Sequence, residues 1–282
     1  MRITNLARPA GRLALLGITA GIGLSVTAVT AVGLPGSTGA ASSHRQRPTI
    51  VLEHGAFADA SSWDGVVQRL ERAGYPVVAA ANPLRGPASD AAYLRSVISH
   101  VDGPVVLVGH SYGGTVMSQA AARLGGKVEA LVYIAAFLPD AGESSLGLTN
   151  KFPGSTLGQA IESVNYTLPD GTEGADVYIK PDKFRHQFAA DVPAGKARLM
   201  AAEQRPIAAA ALEEKSTQAA WKTIPSWSLV TTEDLNIPVA AQRFMSARAH
   251  AHITEIDASH AVSVSHPGAV TRVIEDAART VR

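Results

Sequence analysis

The stretch PVVLVGHSYGG spans residues 104–114 and places a G-x-S-x-G motif directly after an apolar, β-branched run. The run predicts a buried strand, and the residues behind it, 113–124, have the pattern of a helix. Glycines are needed at this point because the chain must turn sharply while the serine holds a strained backbone conformation. The motif therefore predicts that Ser111 lies at the edge of a sheet.

A serine hydroxyl is a poor nucleophile until a histidine accepts its proton, so a histidine is expected in a later loop at the same edge. Of the nine histidines, His260 follows the last predicted strand, and His266, just before the closing helix, is the alternative. His250 and His252 alternate like a pair of metal ligands, but no further ligand spacing supports a metal site. We expect these two at the surface.

A carboxylate is expected beside the histidine, because it would fix the tautomer and stabilise the imidazolium. For the chain order Ser, acid, His, the acid should follow the strand before the final βα unit. Glu233 and Asp234 lie there, and Asp234 is favoured. Asp140, after the strand predicted at residues 130–137, is the rival.

Two backbone N–H groups are required to stabilise the oxyanion of an acyl transfer. The N–H of Tyr112, the residue after the serine, is one of them. The sequence HGAF at residues 54–57 follows the first predicted strand and offers the other, which we assign to Ala56. His54 is given no proton-transfer role.

Short β-branched runs alternate with helix-like stretches around the motif, which is typical of βαβ units and a mostly parallel sheet. Strands are predicted at residues 49–53, 76–81, 104–108, 130–137, 227–231 and 253–256. Helices are predicted at residues 60–73, 90–101, 113–124, 239–248 and 268–281. The alternation lapses over residues 141–223, here called the insertion. We predict the insertion to be mainly helical, with a hairpin near Gly171 and an Ala-rich helix over residues 194–212 that is broken near Pro206.

The first 40 residues have the order of an export signal: three arginines, then an uncharged run over residues 13–33, then small residues. We predict cleavage close to Ala40, which leaves a secreted single domain over residues 41–282. The alternative is a membrane anchor over residues 13–33, because such a run is long enough to span a bilayer.

The composition, 46% hydrophobic and 17% charged with no cysteine, is that of a globular chain and excludes a disulfide scaffold or a disordered protein. Beyond residue 40 the chain holds 22 Lys and Arg against 24 Asp and Glu, a net charge of −2. This near-neutral balance gives no broad electrostatic footprint for nucleic acid or for an anionic membrane. A small-molecule partner is therefore favoured.

With HGAF, GHSYGG, TED and SHAV in this order, residues 48–282 resemble the α/β-hydrolase superfamily, and within it the small serine esterases related to plant methyl-esterases and hydroxynitrile lyases. The resemblance implies the α/β-hydrolase fold, a Ser111, Asp234 and His260 triad, no cofactor, and a lid formed by the insertion. The lyases carry a lysine after the catalytic histidine and a threonine after the strand-end histidine. Ala261 and Gly55 stand at those positions here, which argues against cyanohydrin cleavage.

The sequence thus predicts an exported hydrolase of small carboxylic esters. The alternatives are a lactonase or a cofactor-free haloperoxidase-like activity in the same pocket, or a binding protein on the same fold. The insertion holds more apolar side chains than a solvent-exposed segment needs, so part of it should face the core or the pocket. These side chains are Leu146, Leu148, Phe152, Leu157, Ile161, Tyr166, Tyr178, Phe184, Phe188, Leu199 and Met200.

Overall fold

A computed structural model describes residues 47–281 of the chain. The predicted signal peptide, residues 1–40, and the alternative anchor, residues 13–33, lie outside the described residues. None of the helices in residues 47–281 combines the length and the hydropathy of a membrane span.

Nine strands and eleven α-helices make up this part of the chain. The strands are β1 (Thr49–Glu53), β2 (Val77–Ala80), β3 (Val105–His110), β4 (Val128–Ile134), β5 (Ile161–Thr167), β6 (Glu173–Ile179), β7 (Ile207–Ala208), β8 (Ser226–Thr231) and β9 (His252–Ile256). The helices are α1 (Asp64–Arg72), α2 (Pro87–Ser99), α3 (Tyr112–Ala121), α4 (Ser145–Asn150), α5 (Leu157–Ala160), α6 (Pro181–Phe188), α7 (Ala194–Glu203), α8 (Ala209–Glu213), α9 (Val239–Arg248), α10 (Val262–Ser265) and α11 (Pro267–Ala278).

Six of the strands form the central sheet, in the order β2-β1-β3-β4-β8-β9, and all neighbouring pairs are parallel. Because β1 lies between β2 and β3, the order of the strands reverses at this point. The carboxyl ends of β1 and β3 therefore flank the crevice where ligands bind in open α/β sheets. The mostly parallel sheet predicted from the sequence is confirmed.

Helices cover both faces of this sheet, as predicted. Ile50 and Leu52 of β1 belong to one core cluster, together with apolar side chains of α1 and α11. Val51 points to the other face and belongs to the cluster that includes α2, α3 and α9. Because the strand is buried on both sides, it is apolar along most of its length. Burying each such side chain contributes about 1.5–3 kcal/mol.

Most elements lie close to where the sequence predicted them. Strand β1 and helix α9 begin and end at the predicted residues. Helix α2 begins at Pro87 rather than at residue 90, because proline is favoured in the first turn, where its missing N–H leaves no bond unmade. Helix α10 was not predicted, since four residues are too few to show helical periodicity.

The insertion is mainly helical, and it also contains a small antiparallel sheet of β5, β6 and β7. Strands β5 and β6 form the predicted hairpin, whose turn uses Gly171 with φ of 87°. The break predicted near Pro206 in the Ala-rich helix is present between α7 and α8, and it contains strand β7, which was not predicted and which pairs with β6. Proline cannot continue the helical hydrogen bonding, and the extended residues after it find partners on β6 instead.

Glu53, at the end of β1, brings a carboxyl group into the core. The residue is fully buried, and neither Oε1 nor Oε2 has a hydrogen-bond partner among the described residues. Burial raises the pKa of Glu53 well above its ordinary value, and the charge of Asp90 raises it further. The folded protein therefore keeps Glu53 protonated at pH values where the unfolded chain has released that proton.

This difference predicts that folding stability falls as the pH rises from the ordinary glutamate pKa toward the raised pKa of Glu53. Glu53→Gln removes the proton linkage at almost constant size, so the variant should become increasingly more stable than the wild type as the pH rises above the ordinary glutamate pKa. Urea unfolding of both proteins across this range measures the effect, with the exposed Glu71→Gln as the control. Parallel pH profiles for wild type and Glu53→Gln would contradict the prediction.

Candidate active site

Ser111 lies at the carboxyl end of β3, immediately before α3. Its φ of 54° falls in the left-handed region, which residues other than glycine rarely occupy. The carbonyl oxygen of Ser111 accepts hydrogen bonds from the N–H groups of Gly114 at 3.0 Å and Phe137 at 3.2 Å. These bonds hold the strained turn and keep the serine at the edge of the sheet.

Two glycines allow the backbone to approach this turn closely. A Cβ added at Gly55 would lie 2.6 Å from Ser111 Cβ, and one at Gly109 would lie 2.7 Å from the carbonyl oxygen of Gly113. No side chain fits at such distances. Gly55 therefore brings the loop after β1 directly against the serine, and Gly109 brings β3 against the start of α3.

His260 lies in the loop after β9 and contacts both of its expected partners. Its Nδ1 is 2.7 Å from Asp234 Oδ2, and its Nε2 is 2.8 Å from Ser111 Oγ. A carboxylate can only accept, so Nδ1 carries the proton in the neutral ring and Nε2 is the acceptor. Ser111 Oγ–H thus donates to His260 Nε2, and His260 Nδ1–H donates to Asp234.

Asp234 follows β8, and its carboxylate is fully buried. The side chain of Asp234 has four hydrogen-bond donors besides His260. They are the N–H groups of Asn236 and Ile237 on Oδ1, and Thr231 Oγ1 and Gln242 Nε2 on Oδ2. Together with the bond to His260, these contacts fix the position of the carboxylate on the Nδ1 side of the imidazole.

The rival residues lie elsewhere. Asp140 Oδ1 forms an ion pair with Lys222 Nζ at 2.5 Å, in a partly exposed position. Glu233 is exposed. His266 is partly exposed, with its Nδ1 3.4 Å from Asp191 Oδ2. The structure therefore brings together Ser111, His260 and Asp234, and it does not bring the alternatives to the serine.

Ala56 and Tyr112, the two residues assigned to the oxyanion, line one cavity with Ser111 and His260. Tyr112 is the first residue of α3, so its N–H has no helical carbonyl to donate to. The N–H of Phe57, next to Ala56, donates to the carbonyl of Arg205 at 2.9 Å and is not available to a ligand.

His54 is buried and makes structural contacts. Its Nε2 accepts a hydrogen bond from the N–H of Asn82 at 3.0 Å, and its Nδ1 lies 2.9 Å from the carbonyl oxygen of Gly55. Burial lowers the pKa of His54 to about 4. The ring therefore stays neutral and fixes the loop after β1, in agreement with the absence of a proton-transfer role.

Two residues that support the site were not identified from the sequence. The Nε2–H of His110 donates to the carbonyl oxygen of His260 at 2.9 Å, and the two rings lie 4.7 Å apart. Burial lowers the pKa of His110 well below its ordinary value. Gln242 of α9 bonds Asp234 through Nε2 at 2.9 Å. Neither residue could be found from a local sequence pattern. His110 bonds a residue far away in the chain, and Gln242 bonds a residue outside its own helix.

The cavity beside Ser111 has a volume of about 280 Å³. Among its described lining residues, none is Asp, Glu, Lys or Arg. Its larger apolar lining residues are Phe57, Phe137, Leu146, Leu157, Ile161, Leu212 and Ile237. Other apolar residues of the insertion, such as Leu148 and Phe184, are buried in the core, whereas Leu199 is 56% exposed. The insertion therefore both packs on the domain and forms part of the cavity wall.

No cluster of His, Asp or Glu suited to a metal ion occurs within residues 47–281. His250 and His252, the pair with alternating spacing, are both exposed. The ring of His252 stacks on Trp227 with 4.8 Å between centroids. His252, on the edge strand β9 of the sheet, therefore packs against Trp227.

Comparison with known proteins finds hydrolases and methylesterases among the similar sequences. A sequence model of the alpha/beta hydrolase family matches residues 50–273. The chain is 28% identical over 260 residues to the alpha/beta hydrolase nvfD of Aspergillus novofumigatus (strain IBT 16806), a match that covers 82% of this chain and 97% of that protein. It is 27% identical over 231 residues to Methylesterase 2 of Arabidopsis thaliana, covering 72% and 85% of the two chains.

Among solved structures, the chain is similar to polyneuridine aldehyde esterase. The TM-score is 0.72 at 22% sequence identity, and the match covers 82% of this chain and 99% of that one. At this level of identity, the similarity concerns the fold.

Proposed function

Because this chain belongs to the alpha/beta hydrolase family, we propose that it is a secreted serine hydrolase that cleaves small, hydrophobic carboxylic esters. The observation that carries the proposal is the continuous hydrogen-bonded chain from Ser111 through His260 to Asp234 at the wall of the cavity. Relatives named as methylesterases support the choice of an ester as the substrate.

In the proposed first half of the reaction, Ser111 Oγ attacks the ester carbonyl while His260 Nε2 takes its proton. The carbonyl oxygen becomes an oxyanion, which the N–H groups of Ala56 and Tyr112 stabilise. As the carbon–oxygen bond to the alcohol breaks, His260 gives its proton to the leaving oxygen. The products of this half are the free alcohol and an acyl group on Ser111.

In the second half, water attacks the acyl carbonyl and His260 accepts a proton from it. Collapse of the second tetrahedral intermediate returns the proton to Ser111 and releases the carboxylic acid. Asp234 stays ionised throughout, orients the imidazole and stabilises its protonated form. The four further donors on this carboxylate hold it in place during both proton transfers.

The cavity supports a substrate that is small and uncharged. A volume of about 280 Å³ leaves room for a compact acyl or alcohol group. A charged group would enter without an opposite charge on the described lining, which makes its desolvation costly. An apolar group would instead gain contact with side chains such as Leu157 and Ile161.

Ser111→Ala is expected to lower kcat for ester hydrolysis on the order of 10⁴- to 10⁶-fold, because only binding and oxyanion stabilisation remain. A p-nitrophenyl ester assay measures turnover, and a fluorophosphonate probe should label Ser111 in the wild type alone. Ser99→Ala, at an exposed serine outside the cavity lining, is the matched control and should retain activity. Turnover close to wild type in Ser111→Ala would rule out the serine mechanism.

Asp234→Asn should lower kcat on the order of 10⁴-fold, because the amide favours the wrong histidine tautomer. Asp140→Asn should cost far less, since Asp140 pairs with Lys222 at a distance from the imidazole. Steady-state kinetics of the two variants with the same ester decide between them. The reverse order of effects would move the acid role to Asp140.

Each methylene added to the acyl chain should raise kcat/KM roughly three- to fourfold until the cavity is full, following about 0.8 kcal/mol per buried CH₂. A series of p-nitrophenyl esters of rising acyl length tests this. Leu157→Ala should shift the optimum to longer chains, whereas Leu199→Ala, at an exposed residue of the insertion, should not. A flat profile, or a preference for charged acyl groups, would show that the cavity does not select the acyl chain.

Export is proposed from the residues of the N-terminal segment alone. Mature protein in the culture medium should begin within a few residues of Ala41, as measured by N-terminal sequencing. A variant without residues 2–40 should stay inside the cell. An intact Met1 terminus in the membrane fraction would favour the anchor instead.

A further inference from the structure

One segment of the insertion contacts the chain on both sides of His260. The N–H of Ala261 donates to the carbonyl oxygen of Phe188 at 2.9 Å. The N–H of Ser259 lies 3.3 Å from Asp191 Oδ2, and Ser259 Oγ donates to Asp191 Oδ1. The residues before and after the histidine are thus both held by residues 188–191, which run from the last residue of α6 into the loop before α7.

The carboxylate of Asp191 also reaches the end of α10, the short helix that follows His260. Asp191 Oδ2 lies 3.4 Å from His266 Nδ1, and its carboxylate interacts with the hydroxyl of Ser265. Burial alone would raise the pKa of Asp191, but hydrogen bonds from Ser259 and Ser265 hold it below its ordinary value. An ionised carboxylate therefore contacts the chain at Ser259, just before His260, and again at the end of α10.

The side chain of Phe188 packs on the imidazole itself. Its ring centroid lies 5.0 Å from that of His260, with an interplanar angle of 71°. Phe188 is fully buried and also contacts the ring of His110 edge-on, at 6.2 Å. The imidazole is thus confined by Phe188 on one side, in addition to its bonds to Asp234 and Ser111.

We propose that Asp191 and Phe188 are positioning residues, which hold the loop around His260 so that Nε2 points at Ser111. The inference rests on the proposed function, because it assigns the insertion a part in orienting the proposed base. The insertion then cannot lift away at residues 188–191 without releasing His260. Residues of α4 and α5 line the cavity, whereas residues 188–191 do not, so the segment that holds His260 is separate from the part of the insertion that forms the cavity wall.

The test uses four substitutions in the complete mature protein. Asp191→Ala removes every bond of the carboxylate, whereas Asp191→Asn keeps an oxygen that can accept from Ser259. Ser259→Ala removes the hydroxyl that donates to Asp191 and keeps the backbone N–H contact, and the double variant closes a mutant cycle. Asp182→Ala is the matched control, because Asp182 is an exposed carboxylate on helix α6 of the same insertion.

Asp191→Ala and Ser259→Ala should each lower kcat about 10- to 100-fold with KM close to the wild-type value, because a small displacement of a reacting group costs rate rather than binding. The double variant should lose little more than either single variant, and Asp191→Asn should recover most of the rate. Fluorophosphonate labelling of Ser111 should slow in the same proportion. The downfield proton resonance of the His260 Nδ1–H should shift or broaden in Asp191→Ala, and this readout needs no substrate.

Unchanged kcat, labelling rate and Nδ1–H resonance in Asp191→Ala would overturn the proposal. Losses that multiply fully in the double variant, or an equal loss in Asp182→Ala, would also overturn it. Wild-type protein that shows the resonance but reacts with neither esters nor the probe would refute the proposed function. In that case the comparison of the Nδ1–H resonance between the wild type and Asp191→Ala would still test the positioning role. If Asp191→Ala melts below the assay temperature, Ser259→Ala and Asp191→Asn carry the comparison.

Discussion

The buried hydrogen bond between Asp234 and His260 is the interaction on which the rest of the site depends. Their side chains are 0% and 1% exposed, so loss of Asp234 would leave the Nδ1–H of a buried imidazole without its hydrogen-bond partner. The bond can form only because β8 and β9 are neighbours and parallel, which places their carboxyl ends side by side. It fixes the imidazole so that Nε2 faces Ser111, and the geometry of the serine turn is useful only in that arrangement.

Three further ionisable residues are buried in this part of the protein, but they take no part in the hydrogen bonds that link Ser111, His260 and Asp234. Burial lowers the pKa of His54 and of His110, which keeps both rings neutral, and it raises the pKa of Glu53 well above its ordinary value. His54 bonds the backbone of Asn82, and His110 bonds the carbonyl oxygen of His260. His260 is therefore selected as the proposed base by geometry, since the other two imidazoles are occupied by structural contacts.

The insertion has two functions in the proposed mechanism, and they belong to different segments. Helices α4 and α5 contribute apolar cavity wall such as Leu146 and Leu157, which suits a small hydrophobic ester. Residues 188–191 hold the loop of His260 from both sides. One segment thus sets which substrate fits, and the other sets how the base is oriented, so a change in the insertion could alter specificity or rate separately.

The sequence by itself determined the strand-to-helix turn at Ser111, because the backbone strain and the need for glycine are local properties of GHSYGG. The sequence also determined the parallel sheet, because the alternation of β-branched runs with helix-like stretches can be recognised from local composition and hydrophobic periodicity. Only the tertiary structure placed Asp234 rather than Asp140 against His260, and only it revealed His110 and Asp191. Those contacts join residues up to 150 positions apart, and whether such residues meet depends on strand order and loop paths that no local pattern specifies.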